Sequence, residues 1–245
     1  MGTILSIQNV TKRFGGYVAL LNVTMEVREK EIVGLIGPNG AGKSTLFNVI
    51  TSITPPDEGD VFLMGKKVTN LPPHKLCEMG IARTFQTAKT ISRLTALENV
   101  LIPLLFARKI TFKKAVAEGI EALNLVGLEE KAHMRVQEMT LADRRLLEVA
   151  RVIAANPKVA LLDEPMAGLN SGESNRLGAI IEKVRSSRGT AVLWIEHKIK
   201  DILKLCDRIV VLNFGAKIAD GLPKEVTKNE QVIAAYLGTK HVEGC

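Results

Sequence analysis

The residues best able to do chemistry lie in one glycine-rich stretch, GPNGAGKST, at residues 37–45. Its spacing fits G-x-x-x-x-G-K-[ST], a loop whose glycines let backbone N–H groups close around phosphates while the lysine reaches the terminal ones. The hydroxyl after the lysine can hold Mg²⁺, and the next one adds a donor at a helix N-terminus, where the dipole favours anions. The alternative is an ordinary glycine-rich turn. The predicted phosphate-binding residues are Gly37, Pro38, Asn39, Gly40, Ala41, Gly42, Lys43, Ser44 and Thr45.

A second stretch, VALLDE at residues 159–164, is an apolar run that ends in two carboxylates. An aspartate at the end of such a strand, here Asp163, holds Mg²⁺ through water in phosphate-loop NTPases. Glu164 would point in a different direction and could polarise an attacking water as a general base. The alternative is a pair of helix-capping carboxylates after a core strand. Gln86 in TFQT and His197 in WIEHK carry little weight by themselves.

These residues need strands and helices to position them, and the chain alternates between the two. An apolar run at 31–37 precedes the phosphate loop, and KSTLFNVITS follows it as a helix. The strands predicted after residue 145 alternate with helices, which implies a parallel sheet with helices on both faces. The predicted strands there are 159–165, 190–197 and 208–215, and the predicted helices are 145–155, 171–187 and 198–205.

Two other regions have different patterns. Residues 3–10 and 19–27 alternate apolar and polar side chains, which predicts an antiparallel pair of strands close to a sheet edge. Residues 72–142 are predicted to form an all-helical insert. In its segment 112–128 the apolar face is predicted to be Val116, Ile120, Leu123 and Gly127.

Composition limits the class of protein. A chain of 245 residues suits one large domain or a core with a subdomain. The net charge of +7 suits an anionic partner or only a solvated basic surface, and 4% aromatic residues argue against stacking platforms for single-stranded nucleic acid. Three scattered cysteines give no zinc or disulfide pattern and fit a reducing cytosol. The sequence shows neither a signal peptide nor an apolar window long enough to span a bilayer.

The phosphate loop, LLDEP, GLN and IEH follow one another in an order that resembles the ATP-binding-cassette (ABC) ATPases, over nearly all 245 residues. The resemblance implies an α/β P-loop NTPase fold with a RecA-like core, an antiparallel β subdomain and an inserted helical subdomain. It implies one ABC ATPase domain, 1–245, with the core and β subdomain in 1–85 and 145–245 and the helical subdomain in 86–144. The expected ligands are ATP and Mg²⁺.

The resemblance also assigns roles to individual residues. Phe14 matches the aromatic that stacks on adenine, although a core aromatic is the alternative. Gln86 matches a glutamine that contacts Mg²⁺ and the γ-phosphate, and His197 matches a histidine that contacts the γ-phosphate. With Ser44 and Asp163, Gln86 forms the implied metal site; with His197 and Glu164, it forms the implied catalytic set. The loop that follows the carboxylates contains Gly168, Leu169 and Asn170.

Shorter phrases narrow the resemblance. GIARTFQT, LTALENVL, DEPMAGLN and VIAAYLG resemble LivG-type cassettes of branched-chain amino acid importers. This implies an ATP-hydrolysing subunit, cytoplasmic and peripheral on the inner face of the cell membrane, that works with transmembrane permease subunits and indirectly with a solute-binding protein. Nucleic acid is not expected as a partner. The alternatives are a cassette for an amide or urea, a soluble cassette protein acting on ribosomes or DNA, and a P-loop kinase for a small metabolite.

One segment departs from the family pattern. Where the family signature reads Leu-Ser-Gly-Gly-Gln, this chain has Met139, Thr140, Leu141, Ala142 and Asp143. Leu141 and Ala142 add Cβ atoms, and Asp143 brings a negative charge near a phosphate, which costs about 4 kcal/mol for like charges ~4 Å apart at an effective dielectric of about 20. In the alternative, Asp143 turns outward to Arg144 or Arg145.

In the family two cassettes close head to tail, so this signature would serve the ATP of a second ABC ATPase subunit. The altered signature therefore favours a heterodimer over a homodimer, with the site of this chain hydrolysing fully and the opposite site more slowly. A milder interpretation is that the signature is a working variant.

Overall fold

A computed structural model describes residues 2–86, 89–196 and 199–237. The chain divides into two compact units. The first unit comprises Met1–Pro73 and Ala191–Cys245, and the second comprises His74–Thr190. These bounds differ from the expected subdomains 1–85, 86–144 and 145–245, which stay a prediction. Within the described residues, every helix is too short or too polar to cross a bilayer.

The elements follow one another in chain order. The first unit begins with β1 (Thr3–Phe14), β2 (Tyr17–Arg28), β3 (Ile32–Ile36), α1 (Lys43–Ile50), β4 (Glu58–Leu63) and β5 (Lys66–Lys67). The second unit contains α2 (Pro73–Met79), which begins at the boundary, then β6 (Ile81–Arg83), α3 (Ala96–Ile102), α4 (Phe112–Val126), α5 (Leu141–Ala154), β7 (Val159–Asp163) and α6 (Ser171–Arg188). The first unit resumes with β8 (Ala191–Ile195), α7 (Ile199–Leu205), β9 (Arg208–Asn213), β10 (Ala216–Gly221), α8 (Pro223–Val226) and α9 (Glu230–Leu237).

An antiparallel sheet in the first unit has the strand order β2-β1-β4-β5. Strands β1 and β2 form the hairpin that the alternating pattern predicts, and β2 is an edge strand as expected. Both strands are longer than predicted, because pairing continues to Phe14 and Tyr17 on either side of the Gly15–Gly16 turn. This hairpin places two aromatic side chains beside the turn.

The parallel strands of the first unit surround β3. Strand β3 pairs in parallel with β8 on one side and with β9 on the other, and β10 pairs antiparallel with β9. Every residue of β3 and β8 is buried, which explains why both read as continuous apolar runs. A Cβ atom at Gly34 would lie 2.9 Å from the Ile202 side chain, so α7 packs closely on β3. The predicted parallel arrangement is confirmed in this unit.

In the second unit, β6 and β7 pair in parallel, with Ala82 opposite Ala160. The prediction that residues 72–142 are all helical is therefore wrong at residues 81–83. Strand β6 is three residues long, so it has no measurable periodicity, and its pairing with β7 joins residues nearly eighty positions apart.

The buried face of α4 also differs from the prediction. Leu123 is buried as expected, but Val116 and Ile120 are only half-buried, and Gly127 lies beyond the helix as its left-handed C-cap at φ +78°. The buried residues are Ala115, Gly119, Ala122, Leu123 and Val126. Small side chains define this face, because α4 packs closely on α3: a Cβ atom at Gly119 would lie 2.9 Å from Leu97.

Candidate active site

Strand β3 and helix α1 position the phosphate loop of the first unit, residues 37–42. Gly37 and Gly42 have φ values of +151° and +100°. A Cβ atom would lie 2.1 Å from the Leu212 carbonyl oxygen at Gly37, and 2.5 Å from the Ala19 carbonyl oxygen at Gly42. Because both obstacles are backbone atoms, neither position accommodates another residue. The loop is therefore a close-packed turn that presents its backbone to a ligand.

Lys43 begins α1 and is buried. Its Nζ donates to the carbonyl oxygens of Gly37, at 2.7 Å, and Pro38, at 2.9 Å, so the ammonium group lies over the loop. The N-cap of α1 is Gly42, so the cap has no side chain to bond the first-turn amides. A cation above the loop and amides at the positive end of a helix dipole fit the β- and γ-phosphates of a nucleotide. The predicted loop residues are brought together.

The hairpin turn between β1 and β2 presents two aromatic rings. Phe14 is 50% exposed and Tyr17 is 57% exposed, which rules out the core-aromatic interpretation of Phe14. Lys12 Nζ lies 5.4 Å from the Phe14 ring centre, and the Tyr17 hydroxyl donates to the Gly40 carbonyl at 3.4 Å. Sequence reasoning missed Tyr17, although its place across a two-glycine turn from Phe14 is a readable signal.

In the second unit, Asp163 ends β7 and is 1% exposed. Its Oδ2 accepts from Arg83 Nη2 at 3.3 Å, and its backbone N–H donates to Thr84 Oγ1 at 2.8 Å. Oδ1 is buried and accepts no hydrogen bond from any described residue. Burial raises the pKa of Asp163, and the positive charge of Arg83 opposes the rise. An orphaned oxygen of a buried carboxylate is a fitting ligand for Mg²⁺ or for its water.

Glu164 and Gln86 meet in the same unit. Gln86 Nε2 donates to Glu164 Oε1 at 3.2 Å. Glu164 has a φ of +48°, a strained backbone conformation for a residue with a side chain. Such strain commonly accumulates at functional sites, since the surrounding structure must hold it in place.

Helix α5 holds the chain around Gln86. Arg145 Nη1 donates to the Phe85 carbonyl at 2.8 Å, and its other terminal nitrogen donates to the Gln86 carbonyl. Glu148 Oε1 accepts from the Lys89 N–H at 2.7 Å, and Arg151 Nη1 donates to the Lys89 carbonyl at 2.8 Å. Burial raises the pKa of Glu148.

Sequence reasoning named Arg145 only as a possible partner of Asp143 and did not name Glu148 or Arg151. These three α5 side chains follow one another at intervals of three residues, which places them along one side of the helix. Charges at helical spacing among apolar residues are the signal that could have found them.

Asp143, in the altered signature, pairs with neither Arg144 nor Arg145. Its carboxylate accepts from Lys131 Nζ at 2.7 and 2.8 Å and from the Thr140 N–H at 3.3 Å. The Thr140 hydroxyl accepts from the Asp143 N–H, which completes a capping box at the start of α5. The alternative pairing with Arg144 or Arg145 does not form, because Asp143 is the third residue of the helix, from which its side chain reaches back to the cap.

The other predicted residues of the signature and of the loop after Glu164 differ in burial and in their contacts. Met139 is buried, whereas Leu141 is 79% exposed at the first turn of α5. Gly168 has φ +80°, Leu169 is buried, and Asn170 caps α6 by accepting from the Glu173 N–H at 2.9 Å. His197 lies outside the described residues.

The chain is similar to known proteins over most of its length. A family model described as "ABC transporter" matches residues 20–167, and one described as "Branched-chain amino acid ATP-binding cassette transporter" matches residues 216–242. The high-affinity branched-chain amino acid transport ATP-binding proteins LivG of Salmonella typhimurium and BraF of Pseudomonas aeruginosa are 38% and 39% identical to this chain; each comparison covers 96% of this chain and 98% of the relative.

A solved structure is similar as well. It is the dimeric, post-hydrolysis state of an ATP-binding cassette bound to ADP and Pi, which is 29% identical with a TM-score of 0.83, over 90% of this chain and 99% of that one. The first family model covers more than half of this chain, and the relatives match it over nearly their whole length. The chain therefore belongs to the ABC transporter family and is one of its ATP-binding cassettes.

Proposed function

We propose that this chain binds and hydrolyses ATP to power the import of branched-chain amino acids through a separate membrane permease. The main supporting observation is the phosphate loop, where the Lys43 ammonium donates to two loop carbonyl oxygens and where Gly37 and Gly42 leave no room for a Cβ atom. LivG and BraF, which match over nearly their whole length, are branched-chain amino acid transport proteins, and this supports the choice of substrate.

The residues have separate roles in this proposal. The loop amides and Lys43 bind the phosphates, and Phe14 and Tyr17 offer exposed rings to the nucleobase. Asp163, Ser44 and Gln86 would hold Mg²⁺, which would supply positive charge beside the phosphates. Glu164 accepts a proton from the attacking water, and the Gln86 amide orients its carboxylate. We place His197 in the same catalytic set on the family resemblance.

The proposed partners follow from the same family. The chain pairs with a second ABC ATPase subunit, as a heterodimer rather than a homodimer, and binds permease subunits that receive solute from a solute-binding protein. The pair is peripheral on the inner face of the cell membrane. A solved dimer of a similar cassette supports two-chain closure.

The test is transport by the reconstituted complex in liposomes. We expect leucine uptake that depends on ATP, and a loss of at least about 100-fold in the Glu164→Gln variant, because removing a general base costs roughly 10²–10⁴ in rate. Glu182→Gln is the matched control, since Glu182 is a half-exposed side chain on α6 that pairs, within the part of the chain that the structure describes, with Arg185. Uptake of an amide or urea in place of leucine would refute the substrate, and full uptake by Glu164→Gln would refute the role of Glu164.

A further inference from the structure

We propose that Arg83 is a positioning residue for the metal site: it holds one oxygen of Asp163 so that the other faces a divalent cation. The proposal rests on the proposed role of Asp163 as the Mg²⁺ residue. Family resemblance did not single out Arg83, which lies three positions before Gln86.

The two oxygens of Asp163 have different surroundings. Oδ2 accepts from Arg83 Nη2 at 3.3 Å, whereas Oδ1 is buried without a hydrogen-bond partner among the described residues. The side chains of Arg83 and Asp163 are 8% and 2% exposed, so neither group is solvated enough to exchange its partner for bulk water. A buried carboxylate oxygen that accepts no hydrogen bond destabilises the fold unless a ligand binds it. A cation is the ligand that complements its negative charge.

Arg83 is itself fixed on several sides. Its Nε donates to the Thr84 carbonyl at 3.1 Å, and its guanidinium carbon lies 4.5 Å from the centre of the Phe85 ring. Lys89 Nζ lies 4.8 Å from the same ring centre. The Arg83 guanidinium is therefore held by a hydrogen bond and by a cation–π contact as well as by Asp163, and its fixed position orients the Asp163 carboxylate.

The backbone supports the same orientation. Thr84 Oγ1 accepts from the Asp163 N–H at 2.8 Å, and the Thr84 N–H donates to the Leu161 carbonyl at 2.9 Å. These bonds join the ends of β6 and β7, so Arg83 and Asp163 are set by the sheet and not by a free loop. Residues that orient a metal ligand from behind commonly contribute 10–100-fold to metal affinity.

The experiment measures Mn²⁺ binding to the full chain by electron paramagnetic resonance at saturating ADP. We expect Arg83→Met to weaken Mn²⁺ binding about 10-fold while ADP affinity in EDTA stays unchanged. Arg144→Met is the matched control: among the described residues, the Arg144 side chain donates to the carbonyls of Val136 and Gln137 and not to Asp163. The Mn²⁺ affinity of this variant should equal that of the wild type. Unchanged or tighter Mn²⁺ binding by Arg83→Met would overturn the proposal, as would an equal loss in the control or a parallel loss of ADP affinity.

A buried ion pair that loses one partner is strongly destabilised, so Arg83→Met could fail to fold. Arg83→Lys is then the variant to measure: it keeps a cation but loses the Nε donor and the contact between the guanidinium and the Phe85 ring. Weakening of several-fold supports the proposal, and wild-type affinity refutes it. Asp163→Asn separates the two hypotheses. If Asp163→Asn leaves Mn²⁺ binding intact, the assignment of Asp163 to the metal site fails. If Asp163→Asn weakens Mn²⁺ binding but the arginine variants leave it intact, only the positioning role of Arg83 fails.

Discussion

At the scale of single residues, local hydrogen bonds decide what a charged side chain does. Asp143 brings a negative charge to the start of α5, where the family signature has none. Burial alone would raise the pKa of Asp143, but hydrogen bonds from Lys131 and Thr140 outweigh burial and hold it below its usual value. The Asp143 carboxylate thus caps the helix and pairs with Lys131. Because its charge is already paired, its repulsion of a nearby phosphate is weaker than the sequence alone suggests.

This predicts how stability changes with pH. A lowered pKa in the folded state means that the contribution of Asp143 is fully present above its unfolded value, near 3.8, and is lost as the pH falls through the folded value. Asp143→Asn should cost about 1–2 kcal/mol of unfolding free energy at pH 7. Thermal denaturation from pH 7 to pH 3 checks it: the gap between variant and wild type should narrow below about pH 4.

Lys131→Met provides the matched comparison. It should cost a similar amount at pH 7, and the double variant should lose less than the sum, since the two side chains act on each other. A gap that stays constant down to pH 3 would contradict the assignment.

At the scale of elements, the junction of β3 and α1 depends on which glycines face backbone. Gly40 and Gly42 both have positive φ values, but Gly40 has open space where its Cβ would stand, whereas Gly42 faces the Ala19 carbonyl oxygen at 2.5 Å. The strand ahead and the helix behind are fixed by burial, so the loop cannot move to relieve that clash.

We therefore expect Gly42→Ala to reduce ADP affinity at least ~10-fold. Gly40→Ala should lower the free energy of unfolding by roughly 1–2 kcal/mol, the cost of a left-handed backbone for alanine, and should reduce ADP affinity less than Gly42→Ala does. Isothermal titration with ADP, alongside the melting temperature of each variant, makes the comparison. Equal losses in both variants would show that strain alone, and not the backbone contact, constrains the loop.

Helix α5 connects two sets of residues that the sequence presents separately. The last three signature residues form its first turn. Farther along, Arg145 donates to the carbonyls of Phe85 and Gln86, and Arg151 donates to the carbonyl of Lys89. The capping box between Thr140 and Asp143 satisfies amides at the start of α5, so the segment is helical despite its altered signature.

At the scale of the whole molecule, the proposed heterodimer makes the two ATP sites unequal. The phosphate loop, Asp163 and Glu164 of this chain would be completed by the partner's signature, while the altered signature here would serve the partner's ATP. An ATPase assay of the co-expressed pair should therefore show that Glu164→Gln lowers turnover more than the equivalent change in the partner.

The opposite order would refute this asymmetry, namely unchanged turnover in Glu164→Gln together with loss in the partner's variant. Equal losses from both changes would favour the milder interpretation, in which the signature is a working variant. Purification with or without the second cassette tests whether this chain pairs with itself.

The sequence by itself determined the family, the phosphate loop and the parallel strands around β3. Each of these depends on a local pattern: fixed glycine and lysine spacing, or a continuous apolar run that only a strand buried on both faces requires. Only the tertiary structure showed which strand β6 pairs with and which groups the side chains of Arg83, Arg145 and Asp143 contact. Their partners are distant in sequence or on another turn, as when β6 pairs with β7 and Arg83 reaches Asp163. Long-range contacts of this kind leave no periodicity in the chain, so only the folded arrangement reveals which charges neutralise one another.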